Sequence, residues 1–180
     1  MKVVPHKFFF NDDGIFPNNL LPVILYSKVL NIPMSDYLIH LYFKLIFNEH
    51  GWTNHRRSGI YNFHHYHSNA HKVIAVCKGK ATLLFGGNNG RCVGVSKGDV
   101  VVVPAGVALK NMGRENCIDC IMGFFEGRLY DINYGRSGER PDTDVNIASL
   151  AIPDTDPLFG KAAGIASLWQ TSLFNTLTKI

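Results

Sequence analysis

Between Tyr61 and Phe125 the chain breaks into short runs rich in β-branched and aromatic residues: YNFHHYH, KVIAVCK, KATLLF, RCVGV, DVVVVP and CIDCIMGFF. Gly79, Gly86-Gly87-Asn88-Asn89-Gly90 and Lys97-Gly98-Asp99 separate them. Such runs favour extended backbone, and the glycine- and asparagine-rich breaks supply turns. Strands at such regular spacing, with no helix between them, indicate a β-sandwich or small barrel. The stretch FGGNNGRCVG lacks the Gly-Lys-Ser/Thr of a phosphate-cradling loop and reads as a hairpin turn.

The flanks have a different texture. Residues 1–60 read as a loop-rich arm followed by one helix. Asn11-Asp12-Asp13-Gly14, Pro17-Asn18-Asn19 and Pro22 are turn chemistry. Ser35 stands at an N-cap position, Leu38, Leu41, Tyr42, Leu45 and Ile46 recur at helical spacing, and Gly51 marks the stop. That face is expected to cover the core. Residues 61–126 form the barrel, and residues 127–180 form a proline- and aspartate-rich extension laid over its surface. In the extension, INYGRSGERPDTD and IPDTDPLFG lack the ligand ladder and closing glutamate of a calcium loop, so they read as turns. Ala166, Trp169, Leu173 and Leu177 suggest a short terminal helix. At 180 residues the whole is one compact domain.

Composition excludes several classes. Hydrophobic residues make up 46% and charged residues 18%, an ordinary globular balance. The net charge of +4 is scattered, with only Arg56-Arg57 adjacent, so no nucleic-acid partner is expected. The longest apolar run, LLPVILY, contains a proline and is too short to span a bilayer. Met1 to Phe10 has no signal-peptide pattern and no Asn-x-Ser/Thr acceptor occurs, so the expected address is the cytoplasm, with no membrane partner. The four cysteines, 77, 92, 117 and 120, fit a reducing compartment. Cys117-Ile-Asp-Cys120 has metal-site spacing, yet on a strand residues three apart face opposite ways, so buried structural thiols are expected.

Four of the eight histidines crowd into FHHYHSNAHK, residues 63–72. On an extended strand His65 and His67 share one face while His64 and Tyr66 share the other. Two imidazoles on one face can hold a metal ion, but they need a third or fourth donor from elsewhere.

Two longer patterns carry a family resemblance. Gly59-x5-His65-x-His67-x4-Lys72-x6-Gly79 resembles the first cupin motif, and Gly98-x5-Pro104-x-Gly106-x2-Leu109 resembles the second. GIYNFHHYHS, KGDVVVVPAGVALKN, INYGRSGERP and PDTDPLFG resemble the single-domain bacterial cupins called YjlB-like, over roughly Phe8 to Gly160. The resemblance implies an all-β jelly-roll barrel with a pocket at one mouth. Metal-binding cupins hold their ion with two histidines and a glutamate of the first motif and a histidine of the second. Here Lys72 stands at the glutamate position and Leu109 at the last histidine position.

Leucine has no lone pair to donate, and a lysine ammonium repels a cation. The pocket of His65, His67, Lys72 and Leu109 is therefore expected to bind a small anionic molecule without a metal cofactor. A divalent ion (Zn, Fe, Ni or Mn) on His65 and His67 would need His71 or His64 as a third ligand. The alternative is a cupin enzyme acting on a small organic acid or sugar. It would be either metal-dependent or metal-free, and the metal-free form needs an acid such as Tyr61, Tyr66 or Tyr130 beside a histidine base. A homodimer through exposed sheet edges is also expected.

Overall fold

The computed structural model describes residues 3–114, 117–161, 163–165 and 167–170. Its strands are β1 (Pro5–Phe10), β2 (Asn19–Tyr26), β3 (Trp52–Ser58), β4 (Lys72–Phe85), β5 (Arg91–Ser96), β6 (Val100–Val103), β7 (Leu109–Asn111) and β8 (Ile118–Phe125), with helices α1 (Asp36–Glu49) and α2 (Asp142–Ser149). The pairing runs β1-β2-β6-β4-β8-β3, and β5 and β7 add to the far end of β4. Every named pair is antiparallel. The sheet bends over itself in jelly-roll fashion without closing.

β4 joins the two halves. Its first part pairs with β6 and β8, and its second part with β5 and β7. KVIAVCK and KATLLF, two runs in the sequence, are thus one strand. Gly79 makes the passage possible: its φ is +78°, and a Cβ there would lie 2.2 Å from the Cys117 carbonyl oxygen.

Alternation along β4 sorts two cores. Val73, Ala75 and Cys77 pack with α1 residues Ile39, Phe43 and Phe47 and with Trp52 and Trp169. Ile74 and Val76 face the barrel interior with Val101, Val103, Leu109 and Met122. Lys72 has the parity of Ile74, so its side chain enters the barrel.

The first sixty residues contribute β1, β2 and β3 to the sheet, where a loop-rich arm was expected. Asn11 to Asn18 do form the β1–β2 connection, where Asp12 and Asp13 side chains accept from Gly14, Ile15 and Phe16 amides, but Asn19 and Pro22, read as turn chemistry, belong to β2. Pro22 is tolerated inside β2 because β6 pairs only from Ile24 onward and the β1 register shifts near Phe10.

α1 forms where expected, with the Ser35 hydroxyl accepting the Leu38 amide and His50 and Gly51 closing it. Its buried face differs. Ile39, Phe43 and Phe47 go inward, whereas Leu38, Leu41, Tyr42 and Leu45 are exposed and Ile46 is half-buried. Both stripes have helical spacing. The two phenylalanines bury more apolar surface, which settles the choice.

The extension holds α2 as well as connectors. Trp169 is buried and donates its indole N–H to the Pro22 carbonyl, while Ala166, Leu173 and Leu177 lie outside the described residues. Cys77 and Cys120 are buried, Cys92 and Cys117 are exposed, and all four are free thiols. No helix among the described residues is long and apolar enough to cross a membrane.

Candidate functional site at the barrel mouth

The histidine segment runs extended across the barrel mouth rather than as a full strand. His65 exchanges both backbone hydrogen bonds with Leu109, Tyr66 does so with Asn133, and the His67 carbonyl accepts from the Gly106 amide. Alternation then works as on a strand. His64 and Tyr66 pack against Phe16 on one side, and His65 and His67 face a cavity on the other. That cavity, about 20 Å³, is lined by His65, His67, Lys72, Leu109, Met122 and Phe124, with Arg56, Tyr61 and Tyr130 at its rim. It has room for one or two water-sized species.

Hydrogen bonding fixes the histidine tautomers. A carbonyl oxygen can only accept, so His67 Nδ1 carries a proton and donates it to the Asp131 carbonyl. Its Nε2 lone pair then accepts from Lys72 Nζ at 3.2 Å. His65 Nδ1 donates in the same way to the Phe63 carbonyl at 3.3 Å. The Asp131 carboxylate accepts from the Ser68 amide and hydroxyl and from the Asn133 side chain, while Asn69 accepts the Asp131 amide. The loop carrying Asp131 is therefore clamped to the histidine segment.

Burial sets the electrostatics. It pushes the Lys72 pKa down from about 10.5 to about 7, since an ammonium 3% exposed has lost its water. Cys120 would oppose this only as a thiolate, and burial holds it as a thiol. No carboxylate lies within ion-pairing reach of Lys72 among the described residues. Burial first, and Lys72 second, lower His65 to about 3 and hold His67 well below its ordinary value. Both imidazoles are neutral at pH 7.

The cupin family model matches residues 52–125. A protein of Bacillus subtilis strain 168, described as uncharacterized protein YjlB, is 30% identical over 164 residues, covering 90% of this chain and 94% of its own length. The chain belongs to the cupin family. Among solved cupin-like structures, the acireductone dioxygenase from Bacillus anthracis with cadmium in its active center is 14% identical, over 73% of this chain and 83% of its own, with a TM-score of 0.41. Procruciferin, an 11S globulin from Brassica napus, is 19% identical over 46% of this chain at a TM-score of 0.33, and the match spans 21% of the globulin. Likenesses this distant decide nothing about chemistry.

In this cupin the sequence-derived pocket residues His65, His67, Lys72 and Leu109 do converge. The two reserve ligands do not join them. His64 turns toward Phe16. His71 packs on Trp169 in the other core, its Nδ1 accepting from the Ala105 amide; its Nε2–H faces the Ala151 carbonyl without reaching hydrogen-bond geometry. No group of three His, Cys, Asp or Glu side chains among the described residues is placed to hold a metal ion. The one lone pair that His67 could offer already accepts from Lys72, so the residues at the mouth do not fit a resident cation.

The fold brings Tyr61 and Tyr130 to the pocket but sends Tyr66 to Glu139 and Thr143. Sequence reasoning missed Arg56. It spans the rim, donating to the Tyr130 hydroxyl at 2.8 Å and the Tyr61 hydroxyl at 3.1 Å. Tyr130 in turn stacks on Phe124 with ring centroids 4.3 Å apart. Arg56 lies before the first motif, and its role appears only when β3 is laid beside β8.

Proposed function

We propose that this cupin binds a small carboxylate in a metal-free pocket, the Lys72 ammonium standing where metal-binding cupins carry their ion. One observation supports this best: a buried lysine amine faces a cavity with a neutral imidazole as its partner and, among the described residues, no carboxylate to neutralise it. An anion entering the cavity would complete the missing pair, and a charge-assisted hydrogen bond is strong where water is excluded. Arg56 at the rim adds a second positive group.

The test is thermal unfolding of the full chain with acetate. Acetate should raise the melting temperature at pH 6.5. The shift should shrink as pH rises past about 7, where Lys72 loses its proton. Lys72→Met should abolish it. Equal stabilisation of the variant by acetate would refute the reading.

Tyr130 beside His67 and Tyr61 beside His65 support a second reading, a metal-free acid–base enzyme. It requires turnover of an organic acid or sugar that His67→Ala abolishes. The departure from the metal-binding pattern has its own test. Lys72→Glu combined with Leu109→His should gain stoichiometric divalent metal, measured by elemental analysis of untagged protein. An unchanged metal content would mean that the side chains at these positions do not converge.

A further inference from the structure

We propose that Lys72 is also a nucleophile, its amine condensing with the carbonyl carbon of a small 2-oxo acid whose carboxylate is held by Arg56. The inference shares the pocket of the anion-binding reading but adds a covalent step to it.

The geometry has three parts. First, a nucleophile within hydrogen-bond reach of a base, the base itself oriented by a third group, is the recurring arrangement of covalent catalysis. Here Lys72 Nζ lies 3.2 Å from His67 Nε2, and the Asp131 carbonyl holds His67 Nδ1–H so that the Nε2 lone pair points at the amine. Asp131 is fixed in turn by the Ser68 amide at 2.7 Å and the Asn133 side chain at 2.7 Å. A lysine that merely reaches for solvent needs no such alignment.

Second, the walls beside the amine are Ile60, Leu109, Met122 and Phe124, a surface that accepts a carbonyl group more readily than a hydrated ion. Third, Arg56 uses two N–H donors on Tyr130 and Tyr61 and has five in all, which leaves donors for a carboxylate. A cavity of about 20 Å³ admits little more than the reacting carbonyl, so the carboxylate stays at the rim with Arg56 and the smallest member of the class, glyoxylate, is favoured.

The step balances without an oxidant or reductant. The Lys72 nitrogen lone pair forms the C–N bond while the carbonyl π pair moves to oxygen. His67 Nε2 takes one proton shed by nitrogen and passes it to the oxygen, giving the carbinolamine. The second nitrogen proton follows the same route to the hydroxyl, which leaves as water while the nitrogen lone pair forms the C=N bond. The product is an imine between Lys72 and the oxo acid, and hydrolysis reverses it.

Trapping tests this directly. The full chain is incubated at pH 7 with glyoxylate and sodium borohydride, and the reduced adduct is located by peptide mapping. One adduct is expected at Lys72, forming at least about tenfold faster than at any other lysine, because surface amines are almost wholly protonated at this pH. His67→Gln should slow trapping by about a hundredfold, the lower end of what a positioned general base contributes. Lys72→Met, checked for folding by circular dichroism, should leave only slow surface labelling. Labelling of Lys72 no faster than surface lysines overturns the inference, and acetate stabilisation surviving in the same preparation leaves the anion reading standing. Rapid trapping at Lys72 without any acetate effect supports the nucleophile and sinks the anion reading.

Discussion

Asp156 and Lys72 are both fully buried ionisable groups, 0% and 3% exposed, and their surroundings are opposite in kind. Asp156 is saturated: it accepts from the Tyr26 hydroxyl and from the Leu158, Phe159 and Ile165 amides. Gly164 is packed so tightly against it that a Cβ would lie 2.1 Å from its Oδ2. Lys72 has one neutral imidazole nitrogen and a cavity. The first arrangement ties the C-terminal extension to β2, and nothing further can be added to it. The second leaves an ammonium short of partners, which costs stability and invites a ligand. Full hydrogen bonding suits a buried group that serves the fold, and the shortfall at Lys72 is what the proposed function rests on.

Removing each group should make the difference largest. Asp156→Ala strands a buried hydroxyl and three amide donors, so it should cost about 4 kcal/mol or more in chemical denaturation. Lys72→Met should do the reverse and stabilise the ligand-free protein by about 1–3 kcal/mol at pH 6, since it removes a desolvated charge and keeps the volume. A destabilised Lys72→Met protein would erase the contrast.

The pH dependence of stability sharpens it. In the unfolded chain Lys72 titrates near 10.5, and in the fold near 7. Between these values the unfolded state binds more protons, so stability rises with pH across that window and is lost as pH falls through about 7. His65 and His67, which face the same amine, are neutral throughout that window, and Cys120 is a thiol over most of it. Burial raises the Cys77 and Cys120 thiol pKa values and so opposes this rise. The urea midpoint should therefore change from pH 7 to pH 10 in a more stabilising direction in the parent chain than in Lys72→Met. The smallest effect is at the rim. Arg56→Gln should change stability by under about 0.5 kcal/mol, as for other exposed positions, and weaken acetate binding only a few-fold.

Much of this was legible beforehand, for identifiable reasons. The strands from Lys72 to Phe125 announce themselves because glycine turns bound them and their residues favour extended backbone. The sharing of one face by His65 and His67 follows from alternation alone, and so does the separation of His71 from Lys72. The face of α1 was not legible, because Leu38-Leu41-Tyr42-Leu45 and Ile39-Phe43-Phe47 are both helical stripes and only packing against Trp52 and β4 separates them. Arg56 and Asp131 escaped notice because each acts through a contact remote in sequence: Arg56 reaches Tyr130, 74 positions away, and Asp131 reaches Ser68, 63 positions away. Asp156 looked like turn chemistry. Its nearest partners, the Leu158 and Phe159 amides, fit that, while its bond to Tyr26 spans 130 positions.

The uninterrupted course of β4 has a topological consequence. Because one fourteen-residue segment supplies the partner edges for β5, β6, β7 and β8, neither half of the molecule can assemble while the other stays open. New termini cut into that segment, for example beside Gly79, should leave two fragments that are each unable to fold alone. Cuts at the Asn88-Asn89 tip should be survived. One length of chain shared by both layers should make this cupin unfold as a single unit.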